Sequence, residues 1–289
     1  MFEFDFRMVF MNAFEKLIYF LQAEADTPQM YGGFHIVFLL LAVALAILFS
    51  RLVFLHGDKV YRRIILSFWI IMVVSEIYRE LVFSMDATSG VAVWDYAWYQ
   101  FPFQLCATPL YVFPLVALLP DGAVRDACRA YAATFALFGG IAVMLYPGDV
   151  LCSYIGINIQ SLVHHGLQLV GGVVSAVSLR EKYDLKQFLK GVIVFCAFVT
   201  VAMTLNIGVH AYHISAGMDD TFNMFFISPY FDCTLPVLSS VYKLVPYPLF
   251  LLVYVIGFAL VALLIFGITK LVQNSKSKFE YLWKKARQA

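Results

Sequence analysis

The chain has 289 residues, 62% of them hydrophobic and only 13% charged, with a formal net charge of +1. At a mean hydropathy of +0.81, no water-soluble domain buries that much apolar surface, and the near-neutral balance argues against nucleic-acid binding. The composition predicts an all-α polytopic membrane protein whose partners are membrane lipids.

Residues 1–30 interleave Glu3, Asp5, Glu15, Glu24 and Asp26 with Phe2, Phe6, Phe10, Phe14, Leu17, Ile18 and Leu21. The apolar positions recur at helical spacing while charges interrupt every candidate span. That pattern predicts an amphipathic segment in the membrane interface, not a secretory signal.

Seven apolar stretches follow, each near the ~20 residues needed to cross the hydrocarbon core. They are placed at His35–Phe54, Ile64–Met85, Phe101–Leu119, Ala130–Tyr146, Asn158–Leu179, Gln187–Gly208 and Pro248–Val272. The fourth is short and carries Gly139-Gly140, a pair that predicts close packing on a neighbour. Residues 31–272 are thus expected to form a seven-helix bundle, with 209–247 as an outer loop or lid and 273–289 as a basic cytoplasmic tail.

Lys and Arg set the expected orientation. Arg51, Lys59, Arg62 and Arg63 fall in one connection, Arg125 and Arg129 in a second, and Arg180, Lys182, Lys186 and Lys190 in a third. Lys270, Lys276, Lys278, Lys284, Lys285 and Arg287 follow the last span, whereas the alternate segments hold only Arg7, Lys16 and Lys243. An outside N-terminus and a cytoplasmic C-terminus follow from that asymmetry.

Polar residues inside spans are functional candidates because they are costly in hydrocarbon. With the expected topology, Cys106 in the third span and His164 and His165 in the fifth lie at one depth, one to two turns below the outer surface. Gln160, His164 and Gln168 recur at i, i+4 and i+8 on one stripe, with His165 rotated by about 100°. Gln104 stands beside Cys106, Asn206 near the outer end of the sixth span, and Glu76, Arg79 and Glu80 in the outer half of the second. Glu76 and Arg79 are spaced as an ion pair, and Arg79 and Glu80 are also substrate-contact candidates. Cys152 and Cys233 fall in outer loops, where an oxidising exterior permits a disulfide. His210 and His213 with Asp219 or Asp220 match no metal signature, so neither metal nor cofactor is expected.

Several short motifs, in order, resemble a family. They are His35 at the head of the first span, Phe101-Pro102-Phe103-Gln104-Leu105-Cys106, His165-Gly166-Leu167, Asn206, Asn223-Met224-Phe225-Phe226 with Pro229, and Pro246-Tyr247-Pro248. Together they resemble the bacterial YwaF-like integral membrane proteins and, more distantly, the eukaryotic transmembrane protein 164 acyltransferase family. The resemblance implies Cys106 and His165 as the active pair of a phospholipid acyltransferase. The bacterial pattern has His two residues before the Cys, where this chain has Gln104, and the eukaryotic pattern has Pro-Cys-His, where this chain has Leu105-Cys106-Ala107.

The chemistry is coherent on its own terms. A thiol needs a base before it attacks an ester, and an imidazole at the same depth supplies one. Gln104, Gln160, His164, Gln168 and Asn206, with Arg79 and Glu80, are then candidates for oxyanion or headgroup contacts. Glu76 or Glu80 would orient His165 only if the second and fifth spans pack together. A transporter using the same stripe as a path, or a seven-helix sensor or scaffold, are the competing readings.

Overall fold

A computed structural model describes residues 12–86 and 91–288; residues 1–11 of the N-terminal amphipathic stretch lie outside them. Nine helices account for nearly all regular structure among the described residues. They are α1 (Ala13–Leu21), α2 (Gly33–His56), α3 (Asp58–Ser84), α4 (Pro109–Leu118), α5 (Ala123–Leu145), α6 (Ile155–Leu179), α7 (Leu185–Ala216), α8 (Leu238–Leu244) and α9 (Tyr247–Gln288). A two-residue antiparallel pairing, Met85–Asp86 with Val93–Trp94, follows α3. Helix α5 contains one π-helical turn at Ala132–Ala136.

Five helices, α2, α5, α6, α7 and α9, are long and apolar enough to cross a membrane. Helix α3 has 27 residues, about 40 Å at 1.5 Å per residue, but Glu76, Arg79 and Glu80 interrupt its apolar run. Helix α4 has only 10 residues, about 15 Å, which is half of what a crossing needs.

Several expected boundaries change. The third stretch is not helical from Phe101: its first part is extended, Leu105–Ala107 forms one 3₁₀ turn, and the α-helix starts at Pro109. Pro102 and Pro109 explain this: Pro102 holds Phe101 out of the helical region, and Pro109, which has no N–H to continue a preceding helix, takes the first position of a new one. The sixth stretch does not end at Gly208; α7 continues to Ala216 and stops on Gly217, whose φ of +64 suits a C-terminal glycine. The loop is correspondingly shorter than 209–247 and contains α8. The last stretch likewise runs on as helix through the basic tail to Gln288.

Helices α5 and α6 form the centre, and α2, α7 and α9 expose most of their apolar surface outward. The close approach of α5 to α6 depends on glycine. A Cβ on Gly140 would stand 2.5 Å from the Leu169 nitrogen, and one on Gly172 would stand 2.5 Å from the Leu137 Cβ. At one end of the bundle Asp58 joins α3 to α5, its carboxylate 2.6 Å from Arg125 and 2.7 Å from Arg62. Arg125 is almost fully buried and also donates to the Val116 carbonyl at 2.8 Å, while Arg62 donates to the Leu119 carbonyl at 2.6 Å. These guanidiniums cap the free carbonyls at the end of α4. At the other end, Ala25 pairs with Ser153 at 2.8 Å, and the Tyr78 hydroxyl donates to the Leu21 carbonyl at 2.9 Å, tying α1 to α3 and α6.

Gly140→Ala should therefore destabilise the bundle by about 1–3 kcal/mol, the usual cost of overpacking. Gly257→Ala, where an added methyl meets nothing within 4 Å, should leave the melting temperature unchanged or slightly raised. Thermal unfolding in detergent, followed by size-exclusion chromatography, separates the two outcomes.

Candidate functional site

The break before α4 creates the site. Because Phe101–Thr108 is not an α-helix, its carbonyls need partners, and surrounding side chains supply them. Arg79 donates to the Gln100 carbonyl at 2.6 Å and to the Gln100 side-chain oxygen at 2.8 Å. The Tyr111 hydroxyl donates to the Pro102 carbonyl at 2.7 Å, and the Thr108 hydroxyl to the Leu105 carbonyl at 2.7 Å. His164 Nε2–H donates to the Cys106 carbonyl at 3.0 Å. Cys106 is thus fixed at the middle of a single 3₁₀ turn, three residues before the first residue of α4.

A second irregular segment meets the first. Gln104 accepts from the Phe225 N–H at 2.7 Å and donates to the Asn223 carbonyl at 2.9 Å. Asn206 accepts from the Met224 N–H at 2.7 Å and donates to its carbonyl at 3.0 Å. Two amides from two elements therefore hold Asn223–Phe225 inside the protein, where Phe225 and Phe226 adopt φ values of 58° and 55°. Gln104 and Asn206 have their polar atoms engaged in this clamp.

Between the segments lies a cavity of about 770 Å³, lined by Cys106, Gln104, Gln160, Ser161, His164 and His165, by Glu76 and Arg79, and by Phe83, Phe101, Phe226 and Phe231. That size suits a small-molecule or lipid fragment. Arg79 binds Glu76 closely and lies 3.2 Å from Glu80; Glu80, Gln168 and Asn206 do not reach the cavity wall. Gln168 is fully buried below His164, where a Cβ on Gly139 would come within 2.7 Å of its amide nitrogen and 3.9 Å of the Cys106 Cα.

The two histidines differ by their partners. Since a carbonyl only accepts, His164 carries its proton on Nε2 and His165 carries its proton on Nδ1, which donates to the Ser161 carbonyl at 2.7 Å. In the neutral rings this leaves the lone pairs of His164 Nδ1 and His165 Nε2. Both of those nitrogens, and both amide atoms of Gln168, are buried without a hydrogen-bond partner among the described residues. Such a cluster around one thiol is the arrangement expected where a ligand or water supplies the missing contacts. A backbone carbonyl, not Glu76 or Glu80, orients His165.

Several contributors escaped sequence reading. Gln100, which receives Arg79 twice, has no signal except its place just before the Pro102 break. His35 serves the scaffold: it accepts from the Tyr31 N–H at 3.1 Å and donates to the Met144 carbonyl at 3.0 Å. At the cavity rim Asp220 accepts from His210 at 2.6 Å, from His213 at 2.8 Å and from the Phe222 N–H at 3.0 Å. Cys152 lines the cavity, and Cys152 and Cys233 are both free, so no disulfide joins the two loops.

Fold and site together define an all-α protein with five long apolar helices and a half-buried cysteine that lines one cavity with two histidines. The chain belongs to the TMEM164 family, which it matches over residues 30–270. Comparison with curated proteins and with solved structures finds no match.

Two outcomes follow. Arg79→Ala would strand Glu76 and uncover the Gln100 carbonyl, a loss of about 3–5 kcal/mol for a broken buried pair; a sharply lowered melting temperature measures it. Burial alone would raise the Asp220 carboxyl, but the Phe222 N–H and both imidazoles outweigh it and hold the group below its usual range. Its contribution is therefore complete above the unfolded pKa of about 3.9 and is lost as pH falls through the lower folded value. At pH 7, limited proteolysis within 217–223 should be slow in the wild type and fast in Asp220→Ala.

Proposed function

We propose that the protein is a seven-crossing membrane enzyme that transfers acyl groups between lipids through a thioester on Cys106. Helix α3 and the broken segment ending in α4 complete the seven, the first because its charges pair with one another and the second because its open carbonyls are capped by side chains. The alternation of basic connections supports an outside N-terminus and a cytoplasmic C-terminus in a bacterial plasma membrane, with the cavity at the outer level. The observation that carries the reading is the unpartnered Nε2 lone pair of His165 on the same cavity wall as the Cys106 thiol.

In the first step His165 Nε2 takes the thiol proton, and the thiolate sulfur attacks the ester carbonyl carbon of a glycerophospholipid. The carbon–oxygen ester bond breaks, the imidazolium returns its proton to the departing lysolipid oxygen, and the acyl group stays on Cys106. In the second step a lysolipid hydroxyl gives its proton to His165 and attacks the thioester carbon; the carbon–sulfur bond breaks, and the departing thiolate takes the proton back from the imidazolium. The N-terminus of α4, three residues beyond Cys106, stabilises the thiolate through the helix dipole. Once Gln104 and Asn206 are assigned to the loop clamp, Gln160 is the cavity-lining amide left for the reacting carbonyl, and Gln168 lies behind the wall. Arg79, with Glu76 and Glu80 balancing its charge, faces the headgroup side. His164 positions Cys106 by holding its carbonyl.

Incubation of the purified protein with a labelled phospholipid should yield a hydroxylamine-sensitive acyl adduct on Cys106. Cys106→Ala should abolish it, and His165→Ala should slow it by roughly 10²–10⁴-fold, the range for a lost general base. His164→Ala should lower the melting temperature more than it lowers the rate in the folded fraction. Equal adduct formation in wild type and His165→Ala would overturn the assignment of the base.

A further inference from the structure

A second concavity, about 480 Å³, opens sideways between α3 and α6, and the proposed reaction does not use it. Ile70, Val74 and Tyr78 form one wall at i, i+4 and i+8, and Ile159 and Val163 form the other at i, i+4, so each helix presents a single face. No charged side chain lines it, and Val74, Ile70 and Ile159 are exposed. From Ile70 to Tyr78 the groove runs about 12 Å along α3 at 1.5 Å per residue.

Two features make this more than an ordinary lipid-facing surface. Gln160 lines both the groove and the cavity that holds Cys106, so one side chain stands at the threshold between bilayer and thiol. The groove's end is also built: Tyr78 lies across Gly156, where a Cβ would fall 1.9 Å from its hydroxyl oxygen, and the same hydroxyl binds the Leu21 carbonyl of α1. Only glycine admits the tyrosine there.

We infer that this groove seats one acyl chain of a bilayer phospholipid, which enters sideways between α3 and α6 and passes its ester past Gln160 into the Cys106 cavity. The inference rests on the acyl-transfer reading for the fate of the ester. The seat itself follows from apolar walls, lateral opening and continuity with the cavity. The hydroxyls of Ser75 and Tyr78, which also line the groove, are spent on the Met72 and Leu21 carbonyls, so the walls match a hydrocarbon chain better than a water-borne ligand.

The test uses the full chain in phosphatidylcholine vesicles doped with a phosphatidylcholine bearing a diazirine midway along one acyl chain, followed by photolysis and peptide mapping. Adducts on 70–78 and 159–163 should exceed those on the outward face of α7, at Ile193 and Ile207, several-fold. Val74→Trp, a change at an exposed helix position, should remove that excess while leaving alkylation of Cys106 by a small water-soluble maleimide unchanged. Cys106→Ala should retain the excess, because seating a chain needs no thiol. Labelling no stronger in the groove than on α7, or excess labelling that survives Val74→Trp, overturns the inference. Groove labelling without any Cys106 adduct upholds the seat and defeats acyl transfer, and adduct formation with uniform labelling defeats the seat alone.

Discussion

Backbone groups inside a membrane protein must find partners within the protein, and this requirement governs the whole arrangement around Cys106. Between Gln100 and Thr108 the chain gives up helical hydrogen bonds, and each released carbonyl would cost several kcal/mol if left bare. Arg79, Tyr111, Thr108 and His164 answer them one by one. The loop segment Asn223–Phe225 meets the same demand through Gln104 and Asn206. The polar side chains that hold these two segments thus have a structural task before any chemical one.

That distribution separates residues that look alike in sequence. His164 and His165 are neighbours on α6 with ring centroids 5.3 Å apart, yet one holds a carbonyl of the cysteine turn and the other is held by a carbonyl of its own helix. A ring whose Nδ1 proton is pinned by the residue four back has one tautomer and a fixed direction for its remaining lone pair. The same logic distinguishes the glutamines: both ends of Gln104 are occupied, both ends of Gln168 are free. Among the described residues, then, one amide is spent on the loop clamp while the other sits unpartnered behind the cavity wall.

Apolar runs long enough to span a bilayer were readable from composition, and the elements they predict are all present as helices or part-helices. Cys106, His164, His165 and Gln160, which the sequence sets at one level, line one cavity. What periodicity does not carry is where a run stops being helical. Pro102 and Pro109 signalled the break in the third stretch, but hydropathy outweighed them, and Gly208 looked like an end where α7 simply continues. Nor does a sequence say which partner an amide has found, so Gln104 and Asn206 read as substrate contacts. The Asp58–Arg125–Arg62 cluster was invisible for a related reason: those residues were counted as loop charges, whereas the end of α4 draws the two guanidiniums inward to its bare carbonyls.

The break therefore does three things that an unbroken helix would not. It shortens the third stretch, so that the space an additional two turns would occupy becomes the cavity. It starts a new helix, α4, three residues after Cys106. It also frees the Cys106 carbonyl, which His164 then uses to lock the turn against α6. Close packing of α5 on α6 through Gly139 and Gly140 brings Gln168 up behind the same turn. A methyl group added there would push against the Gln168 amide or the α6 backbone, and the error would reach the cysteine directly. Precision at the thiol is thus set by glycine contacts and backbone capping, both of which act before any substrate arrives.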